Sequence, residues 1–249
     1  MIQSMVCSNK MKIHILTIFP DFFKSPFESS ILKRAIEKGL VNVHLYDIRT
    51  FTTDKHSQVD DYPYGGGPGM IMKPEPLFSC IEHVMASIDK NESKELIFLT
   101  PQGRRYNQAY TAEFVRIDNL ILLCGHYKGI DERVREYWSM TEISLGDFVM
   151  SGGEPAAIAV IDSVVRLLPG VINDMNSAMT DSFYEDNILD YPHYTRPEEF
   201  RGMRVPSVLV SGNHAEISNW RRRKSLERTF KYRKDLLSNE DINELNDET

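Results

Sequence analysis

Gly152 and Gly153, in the run GDFVMSGGEPAAI from Gly146 to Ile158, are the first residues of this sequence with the type and spacing for chemistry. An apolar stretch, Phe148 to Met150, breaks at a Ser-Gly-Gly turn, and Glu154 and Pro155 then open a helical pattern. Paired glycines bring no side chain and reach positive φ without strain, so a ligand can lie directly on the backbone there. Three more loops stand out. DDYPYGGGPGM (60–70) holds four glycines and two prolines, more than a simple turn requires. TPQGRRY (100–106) and CGHYKGIDERV (124–134) each follow an apolar run. In open α/β sheets ligands bind beyond the carboxyl ends of strands, so strand-end loops in succession predict a shared small-molecule pocket. None of these loops fits GxGxxG or GxxxxGK[ST], which removes the sequence support for a dinucleotide or P-loop site.

Two charged residues have readings that the residues alone leave open. Asp181, beside Ser182 in TDSF, is either a cap or solvated loop residue or a reactive carboxylate. Arg166 emerges from an apolar helical pattern, where a guanidinium can snorkel, pair with an acid or hold an anion. Near the C-terminus, Arg221, Arg222, Arg223, Lys224, Arg228, Lys231, Arg233 and Lys234 are interleaved with Trp220, Phe230 and Tyr232. Such a run is a solvated helix face or a phosphate-binding surface, and its density in an acidic chain favours nucleic acid. His14, His44 and His83 lack metal-ligand spacing and read as structural.

The elements that must position these loops follow from periodicity. KIHILTIF (12–19), VNVHLYDI (41–48), ELIFLT (95–100), NLILLC (119–124) and TEISL (141–145) read as strands with helical runs between them. That alternation predicts an α/β fold with a mostly parallel sheet covered by helices. ILKRAIEKG ends on Gly39, a C′ residue. Leu77, Ile81, Val84, Met85 and Ile88 recur at helical spacing and read as core. The helix after the paired glycines ends before Pro169-Gly170, and the polar stretch that follows reads as an interdomain linker. GNHAEISNWRRRKSLERTFKYRKDLL then reads as a helix with Asn213 at the N-cap and Glu216 three residues on. The expected domains are 11–170, a linker at 171–190, and a helical domain at 191–249, behind a disordered extension at 1–10 with no secretory h-region.

The 249 residues carry a net charge of -7 and ordinary apolar and charged fractions, and no window is long and apolar enough for a membrane span. The expectation is no membrane role. Cys7, Cys80 and Cys124 are odd in number and share no zinc-like spacing, which fits a cytoplasmic setting, with Cys124 as buried packing.

YGGGPGM, TPQGR, CGHYKGIDER, GDFVMSGGE, DSF, PHYTRP and SGNHAEI, in this order between Met11 and about Leu237, closely resemble the bacterial tRNA (guanine-N1)-methyltransferase (TrmD) family of the SPOUT superfamily. Each motif alone is weak, and seven in series are highly specific. The resemblance implies a SPOUT-type sheet with a deep trefoil knot, a helical C-terminal tRNA-binding domain and a homodimer with active sites at the subunit interface. It implies methyl transfer from S-adenosylmethionine to N1 of the guanosine at tRNA position 37. The cofactor is then held by Pro101, Gly125, Tyr127, Leu145, Gly146, Phe148, Met150, Gly152 and Gly153. Asp181 takes the N1 proton, Arg166 stabilises charge on the guanine, and Arg221, Arg222, Arg223, Lys224 and Arg228 contact RNA. Many family members have Arg-Tyr-Glu where this chain has His126, Tyr127 and Lys128. An ammonium cannot ligate a cation, so Mg2+ dependence is expected to be weaker or differently arranged, with Asp131, Glu132 or Asp181 as remaining ligand candidates. The alternatives are a SPOUT methyltransferase acting on another RNA and a non-catalytic RNA-binding module.

Overall fold

The computed structural model describes residues 10–172, 180–184 and 187–247. Residues 1–9 of the extension expected at 1–10, and positions 173–179 and 185–186 of the expected linker, lie outside the described residues. The chain divides into two compact units between Asn173 and Asp174.

The first unit is built on a five-stranded, wholly parallel sheet, consistent with the expected α/β class. Its strands are β1 (Met11–Thr17), β2 (Val41–Asp47), β5 (Lys94–Arg105), β6 (Asn119–Cys124) and β7 (Thr141–Ser144), in the order β2-β1-β6-β5-β7. Two short strands, β3 (Asp60–Asp61) and β4 (Ile71–Met72), flank the glycine-rich loop. Helices α1 (Lys24–Phe27), α2 (Ser30–Glu37), α3 (Pro74–Ser87), α4 (Gln108–Phe114), α5 (Glu132–Tyr137) and α6 (Glu154–Val165) connect them.

Strand side chains alternate faces, and here both faces are apolar, as a parallel sheet covered by helices requires. Ile13, Ile15, Leu120, Leu122, Ile97, Leu99 and Ile143 share one core with Leu32 and Ala35 of α2 and Val160, Ile161 and Val164 of α6. Leu16, Ile121, Leu123, Leu96 and Phe98 share the other with Leu77, Ile81 and Val84 of α3 and Val134 of α5. The helical stripe read from the sequence is therefore core, with Met85 packed at its edge. His14 is structural: its ring bonds the Tyr46 hydroxyl at 3.1 Å and Asn119 at 3.2 Å. Gly39 follows α2 with φ +64°, the left-handed geometry of a C′ glycine.

Strand β5 runs beyond the apolar run that announced it, through the polar TPQGRR, because a register shift between Leu99 and Arg104 lets it stay paired with β7. Gly103 makes this possible: a Cβ there would lie 2.3 Å from the Ile143 nitrogen. The shift places Thr100 and Pro101 on a bulge at the sheet's carboxyl edge.

The second unit centres on the helix His214–Tyr232, capped as expected by Asn213, whose side chain accepts from the Glu216 N–H. Leu226 and Thr229 are buried on its inner face, and the Thr229 hydroxyl accepts from the Leu189 N–H at 2.9 Å. Besides helices, this unit contains a hairpin, Glu199–Phe200 with Met203–Arg204, turned by Arg201 and Gly202 at φ +52° and +79°. No helix among the described residues is long and apolar enough to cross a membrane.

Candidate active site

At the carboxyl edge of the first unit's sheet, the loops after β6 and β7, the β5 bulge and the start of α6 enclose a cleft of about 730 Å³, counting its open mouth. All nine residues expected to hold a cofactor line it: Pro101 on the bulge, Gly125 and Tyr127 after β6, Leu145, Gly146, Phe148 and Met150 after β7, and Gly152 and Gly153 at the helix start. Distant sequence segments converge there because β5, β6 and β7 are neighbours in one parallel sheet and all end on the same side.

The paired glycines serve the cleft in one of the two ways their type allows. Neither adopts positive φ, and Gly153 sits at −80° as the residue before α6. What matters is the missing Cβ. At Gly152 it would fall 2.2 Å from the His126 ring and 2.5 Å from Glu154 Oε2, and at Gly153 2.8 Å from Cys124 Cα. Without these atoms the two segments lie backbone to backbone: the Gly153 N–H donates to the Gly125 carbonyl at 2.9 Å, and His126 bridges Gly152. Tyr127 takes a left-handed φ of +61°, a conformation uncommon for a bulky residue and concentrated at functional sites.

Beneath this floor lies a polar cluster that sequence reading missed. Glu154 is 2% exposed, yet its carboxylate accepts from the Thr17 hydroxyl at 2.6 Å and lies 2.6 Å from His126 Nε2. The ring of Phe19 packs edge-on against His126 at 4.9 Å. A carboxylate in the first turn of α6 also faces the positive end of the helix dipole. Only the Glu-Pro pair at a helix start hinted at it, since the partners sit 137 and 28 positions away. Cys124, expected as packing, is fully buried beside this cluster; burial, with the Glu154 charge adding to it, pushes its thiol well above the usual range. Such a thiol is inert.

The glycine-rich loop docks next to the cleft. The Lys128 N–H donates to the Met70 carbonyl and the Met72 N–H to the Gly129 carbonyl, both at 3.0 Å. Lys128 lines the cleft, with its aliphatic stem so close to Gly69 that a Cβ there would lie 2.8 Å from Lys128 Cγ. Asp131 caps α5 and is held by Arg133, which keeps its carboxyl below the usual range, and Glu132 pairs with Arg135 at 2.9 Å. The described residues contain no group of three or more His, Cys, Asp or Glu placed to hold a metal ion.

Arg166 is the C-cap of α6, and Asp181 belongs to the second unit; neither is among the residues lining this cleft. Asp181 instead lines a cleft of its own unit with Tyr184, Tyr191, Arg221 and Arg222. The basic run is less bare than its composition suggested. Arg222 bonds Asp241 and Glu244 of the terminal helix at 2.8 and 3.0 Å, Arg223 and Lys224 both pair with Glu227, and Arg228 donates to the Asp190 carbonyl.

Residues 11–239 match the family model described as tRNA (Guanine-1)-methyltransferase TrmD. Curated relatives named tRNA (guanine-N(1)-)-methyltransferase include one from Geotalea uraniireducens (strain Rf4), 55% identical over 92% of this chain and 91% of its own length. A second, from Geobacillus kaustophilus (strain HTA426), is 51% identical over 91% of each chain. A third, from Clostridioides difficile (strain 630), is 49% identical over 91% of this chain and 97% of its own.

Proposed function

The chain belongs to the tRNA (guanine-1)-methyltransferase family, and on that premise we propose how its residues methylate N1 of guanosine 37, the nucleotide 3′ of the tRNA anticodon. The enzyme is an S-adenosylmethionine-dependent tRNA methyltransferase. The observation that supports the site assignment is the convergence of nine residues from three separate chain segments, at 101, 125–127 and 145–153, on one glycine-floored cleft.

The cleft suits the adenosyl group. Its apolar walls, Leu145, Phe148, Met150 and Ala156, flank the main chain around Gly125, Gly152 and Gly153, and an adenosyl group is held by such apolar walls together with a few backbone polar groups. When bound, S-adenosylmethionine supplies a methyl group activated by its sulfonium. The chain's task is to position the guanine and to free its N1 lone pair. Guanine N1 holds a proton at neutral pH, so a base is required, and Asp181 is assigned that role. Arg166 is assigned to the charge that develops on the guanine, at O6. Holding the reactants in line contributes about 7 to 11 kcal/mol toward the barrier. The target base edge is hidden in a stacked loop, so the nucleotide is splayed out before reaction.

A homodimer with sites at the subunit interface, a deep trefoil knot around the cofactor and a cytoplasmic setting complete the proposal. Any magnesium dependence is weaker or differently arranged, because Lys128 offers an ammonium and Arg133 and Arg135 already hold Asp131 and Glu132. Identification of the methylated nucleoside in treated tRNA tests the reading.

A further inference from the structure

We propose that the second unit carries a subsite for one unpaired nucleotide of the tRNA, in which Arg221, seated on the Tyr191 ring, takes the phosphate and Tyr194 stacks the base. The proposal rests on the reading of this enzyme as a tRNA methyltransferase.

The basic run does not present a uniform sheet of positive charge. Of the five cations between Arg221 and Arg228, four are engaged within the unit: Arg222 by Asp241 and Glu244, Arg223 and Lys224 by Glu227, and Arg228 by a carbonyl. Among the described residues Arg221 alone of the five makes neither an ion pair nor a side-chain hydrogen bond. It is exposed, and its guanidinium lies over the Tyr191 ring, 4.9 Å from the centroid. A guanidinium stacked on a ring keeps its in-plane N–H donors directed outward, the arrangement that receives a phosphate in bidentate fashion.

The surroundings supply the second half of a nucleotide site. Arg221 and Tyr191 form the wall shared by two clefts, one containing Asp181 and the other His193 and Tyr194. In the second cleft the Tyr194 ring is half exposed, against Trp220 at 6.3 Å, and the cleft is backed by Val205, Leu209 and Ile217. The His193 ring packs on Tyr191 at 4.6 Å and is held by Asp190 at 2.6 Å. The exposed Tyr194 ring in the cleft that Arg221 also lines fits an unstacked base with its phosphate, the mode by which single-stranded RNA is read. A duplex keeps its bases stacked and has no use for such a cleft. Glu198 on the rim disfavours a site for anions alone.

The test measures binding of an anticodon stem-loop RNA, and of versions made abasic at one loop nucleotide at a time, to the full-length enzyme and its Tyr194→Ala, Tyr194→Phe and Arg221→Lys variants. S-adenosylmethionine affinity of each variant checks the fold. The expected result is a loss of about tenfold for Tyr194→Ala, rescue by Tyr194→Phe, and a similar loss for Arg221→Lys although charge is kept. One abasic position other than the target guanosine reproduces the loss in wild type and adds nothing in Tyr194→Ala. Wild-type affinity in Tyr194→Ala, or losses that simply add at every abasic position, overturns the subsite while tRNA methylation by the wild type persists. Failure of the wild type to methylate tRNA at all overturns the functional reading, and the subsite with it.

Discussion

His126 Nε2 lies 2.6 Å from Glu154 Oε2, beneath the backbone of Gly152. The pair fastens the strand-end loop after β6 to the first turn of α6, and Thr17 of β1 ties the other carboxylate oxygen to the sheet at 2.6 Å. The floor of the cleft proposed for the cofactor is thus held by a buried polar cluster. Glu154→Ala leaves a hydroxyl and an imidazole without their acceptor, a loss of about 1–3 kcal/mol. Glu154→Gln, which keeps the shape and one acceptor, should lose less. Urea unfolding of the two variants checks this ordering; wild-type stability in Glu154→Ala would contradict it.

Gly152→Ala should weaken S-adenosylmethionine binding more than tenfold (about 1.4 kcal/mol) without unfolding the protein, since the added methyl meets the His126 ring and the Glu154 carboxylate rather than core backbone. Calorimetric titration with the cofactor, beside a circular dichroism spectrum, provides the check. Unchanged affinity would remove Gly152 from the site.

Lys128→Glu restores a carboxylate at the rim of the cleft. Chelation should therefore depress methyl transfer more in this variant than in the wild type, and added magnesium should rescue it. An activity titration with chelator and magnesium measures the difference; complete loss of wild-type activity on chelation, with no change in the variant, goes against the expectation.

Burial holds the His14 imidazole below its ordinary value of 6.5, helped by nearby His44 and Lys12 and opposed by its hydrogen bond to Asn119. The unfolded chain then takes up this proton first as pH falls below 6.5, so stability contributed by neutral His14 is present above that pH and declines toward the lower folded value. Unfolding free energies should fall as pH drops below 6.5, less steeply in His14→Gln. Equal slopes would assign the decline to other groups.

The apolar strands were legible because their side chains are buried on both faces: the run Asn119–Cys124 is the observed β6 residue for residue. The cap at Asn213 was legible because a cap is a local device. Less visible were features decided by partners far along the chain. The polar half of β5 pairs only because Gly103 packs on β7, and the hairpin at Glu199–Arg204 is too short to show a period. Arg222 looked available in the sequence because its partners, Asp241 and Glu244, lie 19 and 22 residues on, in a tail that reads simply as acidic. Glu154 was hidden for the same reason: its importance comes from Thr17 and His126, which strand order alone brings to it.

The most direct measurement is mass spectrometry of both the nucleosides and the ribonuclease fragments of undermodified tRNA after incubation with S-adenosylmethionine and either the wild type or Asp181→Asn. The account predicts 1-methylguanosine at position 37 from the wild type and at least about 100-fold less from the variant, with cofactor affinity equal in both. No 1-methylguanosine from the wild type, or equal turnover by Asp181→Asn, would contradict it.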